Sequence, residues 1–347
     1  MICWCDFGRA TQIHLAAHRY DFLLTKPRFF VDITGALSAL EAHPILTSMS
    51  DDGCFHEQSG LRLPLGIYNV SISRVTDKLT RLCRRVETYF NSPNTVNPEG
   101  DDREVLLEII DYAELSIYAA AEHVDDVKSI CTGFFKHTSI RDKNQAYRAL
   151  EKAVKQHKHL VASAANAIKH QQSRIRLATI EFKDEKHVGA LHGFFIEGVA
   201  NGVICPSSTF HRSNKLFSLT SLAWEIVLFL LLVSRDLATF LRSVCVQREG
   251  PVKVGSDQFA KAVVAAARLP IYDFGEAHPF SKATIELKVP EPFQYLLDSS
   301  LYGSIRSGWS MSSRPSFGKL VCQYEGDGKT KSFQFFQPES VSFQRWT

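Results

Sequence analysis

The sequence predicts an α+β protein: a bundle of long antiparallel helices with an inserted small antiparallel β-sheet and a β-rich C-terminal region. Three observations lead to this prediction. Residues 103–131 and 140–171 place apolar side chains at helical spacing over many turns. Residues 174–210 alternate as strands do. Strand-like segments follow one another after residue 271, whereas a doubly wound nucleotide-binding fold would alternate strands with helices.

The composition is that of an ordinary globular chain. The 347 residues are 45% hydrophobic and 22% charged, and 24 Phe can supply a large core. The net charge of +3 is too small to indicate a nucleic-acid or membrane partner by itself. Eight Cys are scattered along the chain, and no charged start is followed by an apolar run. We therefore expect reduced thiols in the cytoplasm.

The first part of the chain, residues 1–98, is predicted to be a mixed region without a strong period. Residues 61–72, LRLPLGIYNVSI, suggest an extended segment. A helix is predicted over 74–90. The next stretch, 91–102, carries the Asn, Pro and Gly of a loop.

Residues 99–250 are predicted to form the helical bundle, with the β insertion at 174–210. The first long helix, 103–131, has an apolar stripe and an opposite acidic stripe. The acidic stripe consists of Glu104, Glu108, Asp111, Glu122 and Asp126.

The second long helix, 140–171, repeats apolar residues every seven positions, which is the seam of two helices packed side by side. The seam consists of Ile140, Tyr147, Val154, Val161 and Ile168, with Leu150, His157 and Ala164 between them. Because His157 lies on this seam, we expect a hydrogen-bonded core residue and not a ligand.

Shorter sequence patterns predict the remaining helices and strands. Asn201-Gly202 separates two β-like runs and predicts a two-residue hairpin turn. Residues 217–246 are predicted to be a helix. Its apolar run is shorter than a membrane span and contains Glu225, so a buried core helix is the better interpretation. Residues 251–347 are predicted to give a helix at 256–268 and then strands.

One face of the helix 140–171 is basic, which would suit a phosphate backbone. Its cationic members are Arg141, Arg148, Lys152, Lys155 and His159. Two structural alternatives stay open. The face can be the solvated side of a bundle helix, or its charges can pair with the acidic stripe of the preceding helix.

The same face ends in a polar cluster. Asn166 and His170 are four residues apart, and Lys169 lies beside them. A neutral His can act as a general base, and cations such as Lys169 and Arg174 can stabilise an anionic phosphate transition state. Metal-independent cleavage of RNA, with the 2′-hydroxyl as nucleophile, needs such groups. The structural alternative is an Asn and a His that hydrogen-bond near the helix end.

Two long antiparallel helices with a late cluster of this kind resemble the HEPN superfamily of helical domains. The resemblance covers residues 101–246. The family's signature, an Arg followed a few residues later by a His, does not occur there, although Arg9 and His14 have that spacing. The resemblance implies a ribonuclease that dimerises to form its active site, as used in prokaryotic defence or toxin systems. It implies catalysis by His170, Asn166, Lys169 and Arg174.

Other clusters give weaker signals. Cys3, Cys5, Cys54 and His56 could bind zinc, but each pair has only one residue between its members. A second set of residues, near the β insertion, could meet around a metal, namely His187, His192, Glu197 and His211.

Two hypotheses for the function remain. The first is an RNA-directed protein without metal or cofactor, and the second is a non-catalytic subunit that docks a partner protein or a second copy of itself.

Overall fold

The computed structural model describes residues 11–14, 28–32, 40–50, 54–90, 101–170, 173–183, 188–200, 203–211, 217–245, 258–269, 284–289, 319–322 and 334–335. The described helices are α1 (Ala42–Ser48), α2 (Pro64–Phe90), α3 (Asp101–Thr132), α4 (Thr138–Lys143), α5 (Gln145–His170), α6 (Ser208–His211), α7 (Leu219–Val244) and α8 (Gln258–Ala267), with a 3₁₀ turn at Glu57–Ser59. The described strands are β1 (Thr11–His14), β2 (Arg28–Asp32), β3 (Ile175–Lys183), β4 (Val188–Ala200), β5 (Val203–Pro206), β6 (Phe217–Ser218), β7 (Thr284–Val289), β8 (Lys319–Cys322) and β9 (Gln334–Phe335). The predicted α+β class is confirmed, and helices dominate the described residues.

Helix α2 is longer than the sequence predicts. It begins at Pro64, so the extended segment predicted for 61–72 is wrong. Proline is favoured at the first helical position, because its fixed φ suits a helix and the amide hydrogen it lacks would have no partner there. Tyr68, Ile72 and Val75 are buried at helical spacing. That helical spacing of buried residues contradicts the extended interpretation of the segment.

The predicted second long helix is divided in two. Asn144 has an extended backbone between α4 and α5. Its Oδ1 atom accepts a hydrogen bond of 2.9 Å from the Tyr147 amide, which caps α5. As a result, Ile140 lies on the separate helix α4 and is 51% exposed, so its predicted place on the seam is wrong. The rest of the seam is confirmed, and Tyr147 and Val154 are buried.

Helix α7 is the buried core helix that the sequence predicts. Ser218 caps it by accepting a hydrogen bond of 3.0 Å from the Ser221 amide. Its residues are buried around nearly the whole circumference, because α1, α2, α3, α5 and α8 all pack against it. No helix in the described part of the chain is both long and apolar enough to cross a membrane.

The β insertion is antiparallel, as predicted. Strands β3 and β4 pair from Ile175↔Ile196 to Lys183↔Val188. Strand β5 continues the sheet, with Ala200 opposite Val203. The Asn201-Gly202 turn itself lies outside the described residues. Strands β8, β6 and β9 join this sheet, and β1, β7 and β2 form a second one.

The C-terminal region is described only in part. Strands β7, β8 and β9 fall in the segments predicted to be strand-like. Strand β8 pairs with β3 and strand β9 pairs with β5, so parts of this region belong to the inserted sheet. The other residues of the predicted β-rich region lie outside the described part.

One hydrophobic core joins α1, α2, α3, α5, α7 and α8 to the start of the sheet. Helices α2 and α8 lie outside the segment 99–250, yet both contribute to this core. The end of α5 leads directly into β3, and β3 begins against α3. This arrangement brings the end of α5, the middle of α3 and the first residues of β3 together.

Candidate functional site

Two members of the acidic stripe of α3, Glu108 and Glu122, pair with α2 and not with α5. Glu122 Oε2 lies 2.6 Å from Arg74 Nη1, and Glu108 Oε2 lies 2.6 Å from Arg85 Nε. Both arginines belong to α2. The alternative in which the acidic stripe pairs with the basic face of α5 therefore does not hold for these two carboxylates.

The basic face of α5 is exposed. Arg148, Lys152, Lys155 and His159 are all exposed. Among the residues that the structure describes, no carboxylate lies within ion-pair distance of Lys152 or Lys155. Their charges therefore contribute an open positive potential along the helix.

Arg141 differs from the other predicted members of this face. Its Nη1 atom donates a hydrogen bond of 2.6 Å to Thr132 Oγ1, and its Nη2 atom lies 2.8 Å from Asp142 Oδ1. Its guanidinium carbon lies 4.9 Å from the centre of the Tyr147 ring. These contacts tie α4 to the end of α3, so the position of Arg141 suits a structural role.

The polar cluster at the end of α5 is also on the surface. Asn166, Lys169 and His170 are exposed. Within the described part of the chain, Asn166 and His170 make no side-chain hydrogen bond, which removes support for the alternative in which they bond near the helix end. The Lys169 Nζ atom lies 4.6 Å from the centre of the Tyr118 ring, a cation–π contact that directs the side chain toward α3.

Arg174 stands just before β3 and lies near the same part of α3. Its backbone amide donates a hydrogen bond of 3.1 Å to Glu197 Oε2 on β4. The Ile175 amide and the charge of Arg174 both act to lower the pKa of the Glu114 carboxyl on α3, so this carboxylate lies near the start of β3. Lys169 and Arg174 therefore approach α3 about one turn apart, at Tyr118 and Glu114.

Sequence reasoning missed Glu114 and Tyr118. Glu114 is half-buried, and burial raises the pKa of its carboxyl, with the nearby Asp111 adding to the effect. It lies off the acidic stripe, between the buried residues Ala113 and Ile117. The sequence gives one indication of this site: a carboxylate stands beside buried helix positions, and a half-buried charge needs a partner.

His157 is a hydrogen-bonded residue of the seam, as predicted. Its Nε2 atom lies 2.8 Å from Asp236 Oδ2 on α7. Burial alone would raise the pKa of Asp236, but the hydrogen bond from His157 and the charge of Arg235 outweigh it and lower the pKa. His157 also borders a cavity of about 30 Å³ that is lined mainly by apolar residues of α3, α5 and α7.

The β insertion does not assemble the suggested metal cluster from the residues that are described. His211 is buried, and its Nε2 atom accepts a hydrogen bond of 2.9 Å from the Ile196 amide. Glu197 is bound to the buried side chain of Arg176. His187 and the side chain of His192 lie outside the described part. Where side chains are described, no three His, Cys, Asp or Glu residues stand close enough to hold a metal.

The other suggested zinc ligands are only half described. Cys3 and Cys5 lie outside the described residues. Cys54 is partly buried, and the Phe55 amide that follows it donates a hydrogen bond of 2.7 Å to the Gly133 carbonyl at the end of α3. The segment that carries Cys54 and His56 is therefore packed on the bundle.

Comparison of the chain with protein-family models, with curated proteins and with solved structures gives no match. The resemblance to HEPN domains consequently stays a hypothesis that depends on the residues of this chain.

Proposed function

We propose that this protein binds RNA along the exposed basic face of α5 and cleaves it, without a metal, at the end of that helix, as a HEPN-like ribonuclease of a prokaryotic defence or toxin system. The observation that carries the proposal is the charge pairing of α3. Glu108 and Glu122 pair with arginines of α2, so Lys152 and Lys155 on α5 remain open to solvent. Cations spaced along one helix face suit a phosphate backbone.

The helix-end cluster has the groups that cleavage by the 2′-hydroxyl requires. His170 takes the proton of the 2′-hydroxyl, and the 2′-oxygen forms a bond to the adjacent phosphorus. The bond from phosphorus to the 5′-oxygen breaks, and that oxygen takes a proton from water and leaves as a hydroxyl. Asn166 orients the phosphate, and Lys169 and Arg174 offset the charge that develops on it. The products are a 2′,3′-cyclic phosphate and a 5′-hydroxyl.

The test is RNA cleavage by the purified full chain in the presence of EDTA, beside a His170→Ala variant. We expect cleavage that survives chelation and falls by at least about 100-fold in the variant, because a general base contributes about 10²–10⁴ in rate. His137→Ala is the matched control, since His137 is an exposed histidine just before α4 and lies outside the basic face of α5. Circular dichroism checks that each variant folds.

Two results would contradict the proposal. Cleavage that EDTA abolishes would show that a metal is required. Cleavage that persists in His170→Ala would place the active site elsewhere. Because the HEPN domains that this chain resembles dimerise to form their sites, light scattering on the same samples tests for the proposed homodimer.

The second candidate function is a non-catalytic subunit that docks a partner protein. One observation favours it: Leu63, just before α2, and Val70, two turns later, are 43% and 44% exposed. Single exposed apolar residues are common, but two at this spacing can form a small docking stripe. Failure of the wild-type chain to bind RNA, together with loss of a partner on Leu63→Asp and Val70→Asp, would favour this function.

A further inference from the structure

The ring of Tyr118 lies at the surface of α3, beside the end of α5. Its neighbours in the chain, Ile117 and Ala119, are buried, whereas Tyr118 itself is only partly buried. The two helices are close together here, since Ile117 of α3 and Ala164 of α5 line the same cavity. Leu115, one turn before Tyr118, is 40% exposed. An aromatic ring and an exposed leucine therefore stand beside the proposed cleavage cluster.

The side chain that covers this ring is long and exposed. The Nζ atom of Lys169 is 4.6 Å from the ring centre, and Lys169 is an exposed residue. Within the described part of the chain, the hydroxyl of Tyr118 forms no hydrogen bond. Because the stem of a lysine is flexible, the ammonium group can leave the ring without a change in the backbone.

The charges on α3 favour a neutral ligand over the ring. Asp111 and Glu114 stand within two turns before Tyr118 and would repel a phosphate placed there. The phosphate is expected instead at the cations Lys169 and Arg174. A nucleobase is uncharged and has a flat π face, so it suits the tyrosine ring.

The strengths of the two ring contacts favour exchange of one for the other. A cation–π contact at an exposed site changes an equilibrium by about two- to fivefold. A base stacked on an aromatic side chain contributes about five- to 150-fold. The ammonium group of Lys169 also gains a charge-assisted hydrogen bond when it moves from the ring to a phosphate. The arrangement with the base on Tyr118 and the phosphate on Lys169 is therefore the more stable one.

We propose that Tyr118 is a nucleobase-binding residue: when RNA binds, the ammonium group of Lys169 moves from the ring to the phosphate, and an unpaired base takes its place on Tyr118. The inference rests on the proposed function and deepens it, because it names single-stranded RNA as the substrate. A base inside a duplex is stacked between its neighbours and does not reach the ring. Tyr118 contacts the base and takes no part in proton transfer.

Binding of a labelled 2′-fluoro oligouridylate, which cannot be cleaved, to the full chain tests the ring by fluorescence anisotropy. Tyr118→Leu keeps an apolar side chain but removes the π face, so we expect roughly tenfold weaker binding. Tyr118→Phe keeps the ring and should bind as tightly as the wild type. Pairing the oligonucleotide with oligoadenylate should remove the difference between Tyr118→Leu and the wild type.

Tyr112→Leu is the matched control. Tyr112 is also a partly buried tyrosine of α3, but it lies about 120° away from Tyr118 around the helix. Its replacement should leave the affinity for the oligonucleotide unchanged. An equal loss in Tyr112→Leu and Tyr118→Leu would contradict a base site at Tyr118.

A double-mutant cycle separates base stacking from a role in holding Lys169. If Tyr118 only holds the ammonium group, Tyr118→Leu/Lys169→Ala binds no more weakly than Lys169→Ala alone. If a base stacks on Tyr118, the double variant binds a further roughly tenfold more weakly. Equal binding by these two variants would overturn the proposal, as would wild-type affinity in Tyr118→Leu.

Photocross-linking of the wild-type chain decides the matter even if Tyr118→Leu does not fold. 5-Iodouridine, placed in the same oligonucleotide, reacts on irradiation with an aromatic ring that stacks on it. We expect mass spectrometry to find the cross-link on the peptide that contains Tyr118. Cross-links confined to other peptides would overturn the base site and leave RNA binding by α5 standing. If the wild-type chain binds no RNA, the proposed function fails, and this inference fails with it.

Discussion

His123 lies fully buried inside the bundle, where its Nδ1 atom is 2.8 Å from Ser71 Oγ on α2. Its Nε2 atom is buried without a hydrogen-bond partner among the described residues. The ring meets the Phe229 ring nearly at right angles, at a distance of 6.1 Å between centres. A neutral imidazole fits this site, because a charged one would lose its hydration and gain no counterion.

This environment predicts that His123 makes the protein sensitive to acid. Burial lowers the pKa of His123 from 6.5 to about 4. Below pH 6.5 His123 is protonated in the unfolded chain, but in the folded chain it stays neutral down to about pH 4. The free energy of unfolding therefore falls across this window as the pH decreases. One such shift lowers the free energy of unfolding by about 2 kcal/mol between pH 7 and pH 5.

Urea denaturation at pH 7 and pH 5 measures the effect. We expect His123→Asn, which keeps a polar atom near Nδ1 but does not titrate, to lose less stability over this interval than the wild type. Exposed His170→Asn is the control and should keep the wild-type pH dependence. An equal pH dependence in His123→Asn and the wild type would contradict the assignment. His211 has a pKa of about 4 for the same reason and should leave a residual dependence in the variant.

At the scale of elements, the sequence predicts most of the bundle because periodicity is a local signal. The seam residues Tyr147, Val154 and Val161 are buried as the seven-residue repeat requires. The break at Asn144 was missed, because the apolar repeat runs through it and the capping hydrogen bond of Asn144 is visible only in three dimensions. The start of α2 was missed because residues 61–72 were interpreted as an extended segment, whereas Pro64 is the first residue of the helix.

The candidate site was predictable only in part. Helical spacing gives the face of α5 to which Lys152 and Lys155 belong, but it does not say which helix lies beside another. The pairing of Glu122 with Arg74 crosses 48 positions in the sequence. Only tertiary packing decides that Glu108 and Glu122 turn to α2. The proximity of Glu114 to Ile175 likewise joins an interior helix position to the start of β3.

The open charge on α5 predicts a specific dependence of RNA binding on salt. Each cation that neutralises a phosphate of single-stranded RNA contributes about 0.7 to the slope of log affinity against log salt. Lys152→Ala/Lys155→Ala should therefore lower that slope by about 1.4. The measurement is fluorescence anisotropy of a labelled single-stranded RNA at several salt concentrations.

The matched control for this slope is Arg84→Ala. Arg84 is exposed on α2, away from the α5 face, and the variant removes a cation of the same sign. We expect it to leave the slope unchanged. An equal reduction by Arg84→Ala would mean that RNA responds to net charge and not to a defined face, which would argue against the interface on α5.

At the scale of the whole molecule, one buried aromatic side chain lies where the end of α3 and the start of α5 meet α7. Phe240 on α7 is buried, and its ring centre lies 6.1 Å from that of Phe134, 6.2 Å from that of Phe135 and 6.4 Å from that of Tyr147. The rings of Phe134 and Tyr147 stand nearly perpendicular to it, which is a favourable aromatic geometry. One side chain thus joins the end of α3 and the start of α5 to the central helix.

This junction predicts that Phe240→Ala destabilises the described bundle as a unit. Truncation of a buried Phe costs about 3–5 kcal/mol, because transfer energy is lost and a cavity remains. Leu115→Ala is the control: Leu115 is 40% exposed on α3, and its truncation should cost no more than about 0.5 kcal/mol.

Urea unfolding followed by far-UV circular dichroism and by tryptophan fluorescence provides the measurement. Because α7 packs on five other helices, both probes should shift together in Phe240→Ala. Separate transitions, or a cost below that of Leu115→Ala, would show that α7 does not unite the helices into one cooperative core.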